Sequence, residues 1–94
     1  MSQDTATIVI TGELDLTTRP ALAECLSLIL PTKPRRLILD LAGTSFIDCG
    51  SARLIAGAGR FLPEGGRPII RRPSSPVRRV LELTGFDASC EIEG

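Results

Sequence analysis

The chain has 94 residues, balances 11 Lys+Arg against 11 Asp+Glu for a net charge of zero, and contains no His, Trp or Tyr. That length holds one small domain over residues 1–94, and a 43% hydrophobic content gives it an ordinary two-layer core without staples. The missing His removes Ser-His-Asp and Cys-His pairs and imidazole metal ligands, while zero net charge and three Phe as the only aromatics argue against a nucleic-acid binder that stacks bases.

Thr7-Ile8-Val9-Ile10-Thr11 is a β-branched run closed by Gly12, a strand whose continuous apolar middle predicts burial on both faces. Thr17 or Thr18 then supplies a helix N-cap and Pro20 sits in the first turn, where its missing N–H does no harm. Leu22, Leu26, Ile29 and Leu30 follow at helical spacing, with Cys25 expected inside, and Pro31 and Pro34 stop the helix. Arg36-Leu37-Ile38-Leu39-Asp40-Leu41 is a second strand, Ala42-Gly43-Thr44-Ser45 a turn, and Phe46-Ile47 an extension toward Asp48.

From Ser51 a second helix sets Leu54, Ile55, Ala58, Phe61 and Leu62 on one face and ends at Pro63 and Gly65-Gly66. Gly57 and Gly59 weaken it by about 1 kcal/mol each, which points to close packing against a neighbour. Neither they nor Gly65-Gly66 complete a phosphate-binding loop. Pro68-Ile69-Ile70-Arg71 is a third strand. Ser75-Pro76 caps a third helix with Val77, Val80, Leu81 and Thr84 inward and Gly85 at C′, and Ala88 to Ile92, with Cys90, forms a last short strand. The alternation predicts an α/β fold: a mostly parallel or mixed sheet of four to five strands with helices mainly on one face.

An odd number of Cys (25, 49 and 90) without C-x-x-C spacing fits a reducing cytosol. No apolar run nears the ~18 residues of a membrane span, and Met1-Ser2-Gln3-Asp4 does not open a signal peptide. A soluble cytoplasmic chain is expected. Arg67, Arg71, Arg72, Arg78 and Arg79 fall in a stretch without acids, but no aromatics interleave, and Glu82 stands four residues after Arg78, as in helix-surface pairing.

Three segments in register resemble the STAS domain family, in particular its bacterial anti-sigma factor antagonists. They are Gly12-Glu13-Leu14-Asp15-Leu16, the run from Leu37-Ile38-Leu39-Asp40-Leu41 to Phe46-Ile47-Asp48, and Arg72-Pro73-Ser74-Ser75-Pro76-Val77-Arg78-Arg79-Val80-Leu81-Glu82-Leu83-Thr84-Gly85. The resemblance implies a non-enzymatic binding module without cofactor or metal. Its partner would be an anti-sigma factor that is itself a serine kinase, and its contact face would be Asp15, Leu16 and Thr17 with Asp48, Cys49, Gly50 and Ser51. It also implies a switch in which a hydroxyl at the start of the second helix is phosphorylated, and a charge of about −1.5 to −2 at that helix start alters partner binding.

The family reads Asp-Ser-[Ser/Thr]-Gly-Leu there, but this chain reads Asp48-Cys49-Gly50-Ser51-Ala52. Gly50 holds the acceptor position and has no hydroxyl. Ser51 is the remaining candidate, about 100° further round the helix. The alternative is a STAS scaffold that is not phosphorylated, a subunit of a larger regulatory or transport complex. Asp15 and Asp48 fit turn and cap chemistry better than an acid/base pair. Cys49 either replaces the family's first Ser as a small residue or acts as a thiol sensor at a helix start. Family members also begin with a strand that hairpins onto the first one read here. With only about six residues ahead of it, Thr7–Thr11 is expected at a sheet edge, open to a second copy in a homodimer or to a missing strand.

Overall fold

Alternating leucines decide which face of the sheet is inside. In the computed structural model, which describes residues 4–94, Leu37, Leu39 and Leu41 are fully buried in the main core and Ile38 lies on the opposite face. The reading of Met1-Ser2-Gln3-Asp4 falls, for its first three residues, outside the described ones.

The elements are β1 (Thr5–Leu14), α1 (Arg19–Ile29), β2 (Arg36–Ile47), α2 (Cys49–Gly57), β3 (Ile69–Arg71), α3 (Ser75–Thr84) and β4 (Glu91–Glu93). The four strands lie in the order β1-β2-β3-β4 and every pairing is parallel. Successive right-handed crossovers in such a sheet stack their helices on one side. Accordingly Leu22 and Leu26 of α1, Ala52 and Ile55 of α2, and Val77 and Leu81 of α3 enter the same core as Ile8, Leu39 and Ile70. The expected α/β architecture holds, with a purely parallel sheet of four strands among the described residues.

Several local expectations are corrected. Edge strand β1 buries one face only: Ile8 is inside, while Val9 is 67% exposed beside Asp40 of the open face. The Ala42–Ser45 turn is part of a continuous β2. Two extra residues in β2 are taken up as bulges, between the pairs Val9↔Asp40 and Thr11↔Gly43 and between Gly12↔Thr44 and Glu13↔Phe46. Gly43 is required there, since a Cβ would lie 2.9 Å from Thr11 Cγ2. The bulge turns Thr44 inward, where its hydroxyl donates to the Ile10 carbonyl at 2.8 Å and its own carbonyl accepts from the Ser74 hydroxyl at 2.8 Å.

The second helix stops at Gly57 and tightens to a 3₁₀ turn over Ala58–Phe61, which rotates Phe61 off the inward face. Close packing explains Gly59, whose Cβ would meet Pro68 Cδ at 3.0 Å, but not Gly57, which has only Arg60 Nη2 at 3.4 Å. Cys25 points outward, whereas Cys90 is buried and its thiol is pushed up to about 11 by that burial. In the basic stretch, Arg71 leaves the solvated set and pairs with Glu93 of β4 at 2.8 Å across the open face. Ile55→Ala is expected to lower the unfolding free energy by about 2–5 kcal/mol. Phe61→Ala should change it by less than about 1 kcal/mol, both measured by urea denaturation.

Candidate functional site

The bulged pairing of β1 with β2 brings both strand ends to one place. Leu14 pairs with Ile47, and the Asp48 amide donates to the Leu14 carbonyl at 3.0 Å. Two polar turns therefore start side by side, one leading into α1 and the other into α2.

Asp15, rather than Thr17 or Thr18, organises the first turn. Its carboxylate accepts from the Thr17 amide at 3.0 Å, the Thr17 hydroxyl at 2.8 Å and the Thr18 amide at 3.3 Å, and its carbonyl accepts from the Arg19 amide at 2.7 Å. The Thr18 hydroxyl is turned away from a capping role, donating to the Glu13 carbonyl at 2.9 Å. Hydrogen bonds from Thr17 above all, and then from Thr18, hold the Asp15 carboxyl below its ordinary value against a weaker opposing effect of burial. This fixed turn presents Leu16 to solvent with 73% of its surface exposed.

At the second turn Asp48 is the N-cap of α2, in extended backbone conformation, and accepts from the Ser51 amide at 2.7 Å. Its other carboxylate oxygen takes a 2.8 Å ion pair from Arg19 Nη2. Arg19 Nε donates in turn to the Ser51 hydroxyl at 3.2 Å. One guanidinium thus spans the cap and the first turn of α2 from the first residue of α1.

It lies across Gly50: a Cβ at that position would meet the guanidinium, with Cζ at 2.6 Å and Nη1 at 2.7 Å. Ser51, the phosphoacceptor candidate, is fully buried beneath it. Cys49 is exposed at the same helix start.

The expected contact residues therefore do meet, as two adjoining turns, but the two carboxylates are not a catalytic pair. Asp15 is occupied by its own loop and Asp48 by Arg19 and Ser51. The residue that sequence reasoning missed is Arg19. Its signal was a cation on the first turn of a helix, where the macrodipole disfavours positive charge, so an anionic partner had to lie close by.

The family model for the STAS domain matches residues 2–93. The chain belongs to the STAS domain family. The anti-sigma-F factor antagonist RsfB of Mycobacterium tuberculosis is 27% identical over 87 residues, spanning 93% of this chain and 71% of RsfB. The crystal structure of an anti-sigma factor antagonist from Mycobacterium paratuberculosis superposes with a TM-score of 0.87 at 22% identity, over 99% of this chain and 80% of that one. The Bacillus antagonist SpoIIAA in its unphosphorylated form gives 0.82 at 25% identity, over 99% and 83%. The two superpositions share the α/β architecture with this STAS domain.

Burial acts most strongly on Asp48 and would raise its pKa, but hydrogen bonding from Ser51 and the Arg19 guanidinium together outweigh it and hold the carboxyl below 3.8. The unfolded chain then takes up its proton first on acidification. The stabilisation is complete above the unfolded value and is lost as pH falls through the lower folded one. Asp48→Asn should cost less than about 1 kcal/mol at neutral pH, because Asn also caps and the ion pair is part-exposed. It should also flatten the fall of the urea midpoint below about pH 5. An unchanged acid slope would exclude Asp48 as a source of that dependence.

Proposed function

We propose that this STAS domain is a cytoplasmic, non-enzymatic binding module: an anti-sigma factor antagonist that engages an anti-sigma factor with serine kinase activity and so frees a sigma factor. The observation that supports it most is the joined face of Asp15, Leu16 and Thr17 with Asp48, Cys49, Gly50 and Ser51. Its rigid turns display one exposed leucine beside the polar start of a helix, the pattern of an apolar anchor within a polar rim. The likeness to RsfB supports the same class of partner.

In this reading the binding is constitutive. Gly50 has no hydroxyl, and Ser51 is fully buried with its hydroxyl bonded to Arg19, so a kinase would reach it only after the helix start opened. The same two features favour a second reading, a scaffold subunit that is not phosphorylated. The two readings differ in whether sigma factor is released. Strand β1 is a sheet edge with Val9 exposed, which supports pairing of Thr7–Thr11 with a second copy.

Sedimentation velocity with the anti-sigma kinase of the source organism, followed by intact mass, tests these points together. A complex should form equally with and without Mg-ATP, release sigma factor, and leave the mass of this chain unchanged. Leu16→Glu should weaken it by at least about tenfold. Absence of a complex contradicts the antagonist reading, a stable complex without sigma release favours the scaffold, and a phosphate that Ser51→Ala abolishes contradicts constitutive binding. A concentration-independent monomer in the same runs contradicts the edge pairing.

A further inference from the structure

Next to the contact face, and meeting it at Gly50, α1 and α2 enclose an open groove of about 800 Å³ whose other lining residues the proposed function does not use. Its apolar wall is built from Ala23, Leu26 and Leu30 on one side and Leu54, Ala58 and Phe61 on the other. Phe61 is the residue rotated outward by the 3₁₀ turn and is 60% exposed, an apolar ring left on the groove without a core to fill.

The charge of the lining has one sign. Arg19, Lys33, Arg53 and Arg60 line the groove, and no carboxylate does. Arg19 is committed to Asp48, but Lys33, Arg53 and Arg60 make no ion pair among the described residues. Arg60 stacks over the Phe61 ring at 5.7 Å and donates to the Gly57 carbonyl. In a chain of zero net charge, however, the three cations without a carboxylate partner give the apolar trough a positive local field that an outside anion would complement.

The spread of those cations selects the kind of anion. Lys33 lies beyond the end of α1 on one wall of the groove. Arg53 and Arg60 are two helical turns apart in sequence on the facing wall. A single anionic headgroup would answer one of these three positions and leave the others unpaired. A partner helix with leucine-like residues at i, i+3, i+4 and i+7, flanked by carboxylates along its length, matches both the trough and the dispersed charge. A second copy of this chain does not supply one: α1 carries a single acid, Glu24, α2 carries none, and α3 carries Glu82 beside Arg78 and Arg79.

We infer that the α1–α2 groove is a docking site for an acidic amphipathic helix of another protein, adjoining the Asp15 and Asp48 face at Arg19 and Gly50 and independent of the antagonist reading. The probe is a synthetic amphipathic peptide with leucines at that spacing and glutamates on its flanks, titrated into the labelled full chain and followed by amide shifts in NMR. Controls are the same peptide with lysine for glutamate, and sodium dodecanoate.

Shifts should centre on Ala23, Leu54, Ala58 and Phe61. The acidic peptide should bind at least about tenfold more tightly than the lysine one, and Lys33→Glu combined with Arg60→Glu should remove at least about tenfold of that affinity. Arg53→Glu alone provides a second reversal, and spectral dispersion reports whether each variant is folded. Equal binding of both peptides, indifference to the charge reversals, or occupation of the groove by dodecanoate without any response to the peptide would overturn the inference. Because no kinase or sigma factor is present, the result is independent of the antagonist test.

Discussion

The guanidinium of Arg19 lying over the Cα of Gly50 is the contact on which the rest of the site depends. It ties the first residue of α1 to the cap of α2 through Asp48 and to the first turn through Ser51, so two helices that follow different strands start as one unit. Each partner constrains the others. Glycine at 50 leaves room for the planar group, Asp48 supplies the negative charge that makes a cation tolerable at the start of two helices, and Ser51 fills the space beneath. The guanidinium is the far end of a flexible side chain, so a larger residue at 50 could push it aside, but only by breaking its bonds to Asp48 and Ser51.

That constraint also changes what the switch region means. The Asp48-Cys49-Gly50-Ser51 segment departs from the family pattern at the acceptor position, and the structure adds a physical companion to the departure: a positive side chain sits where a modified hydroxyl would need space. In this account regulation passes from covalent modification to the supply of partners. The proposed docking groove between α1 and α2 extends the idea, since a domain whose proposed contact face is fixed would still be open to control through a second surface. Arg19 and Gly50 lie at the junction of the two.

Much of this was legible in the sequence, and the exceptions share a cause. Strand and helix alternation, the Asp48 cap and the left-handed Gly85 at φ 79° follow from local pattern, and the edge position of β1 among the described residues is what the family resemblance led one to expect. The Ala42–Ser45 segment carries turn residues, yet pairing with β1 holds it extended by absorbing two extra residues as bulges. Phe61 and Cys25 have helical phases that suggest burial, but α2 tightens before Phe61, and α1 covers the core with Leu22, Leu26 and the partly buried Ile29, leaving Cys25 outside. Thr18 is a good cap by type, but its hydroxyl donates to the Glu13 carbonyl, and the carboxylate of Asp15 instead ties down the turn ahead of the helix through the Thr17 and Thr18 amides. Arg19 acts on residues about thirty positions away, and only the closure of β1 on β2 brings them within reach. Tertiary pairing outweighed local preference in these cases.

The central claim is most directly tested by a double-mutant cycle on Arg19→Ala and Gly50→Ala, read as unfolding free energy in urea. With Arg19 absent, Gly50→Ala should stabilise by up to about 1 kcal/mol, the ordinary advantage of Ala over Gly in a helix. With Arg19 present that gain should vanish or reverse, because the new Cβ displaces the guanidinium from Asp48, giving a coupling of at least about 0.5 kcal/mol. Effects that add within about 0.3 kcal/mol would contradict the account, since the Arg19 guanidinium would then not depend on the space above Gly50.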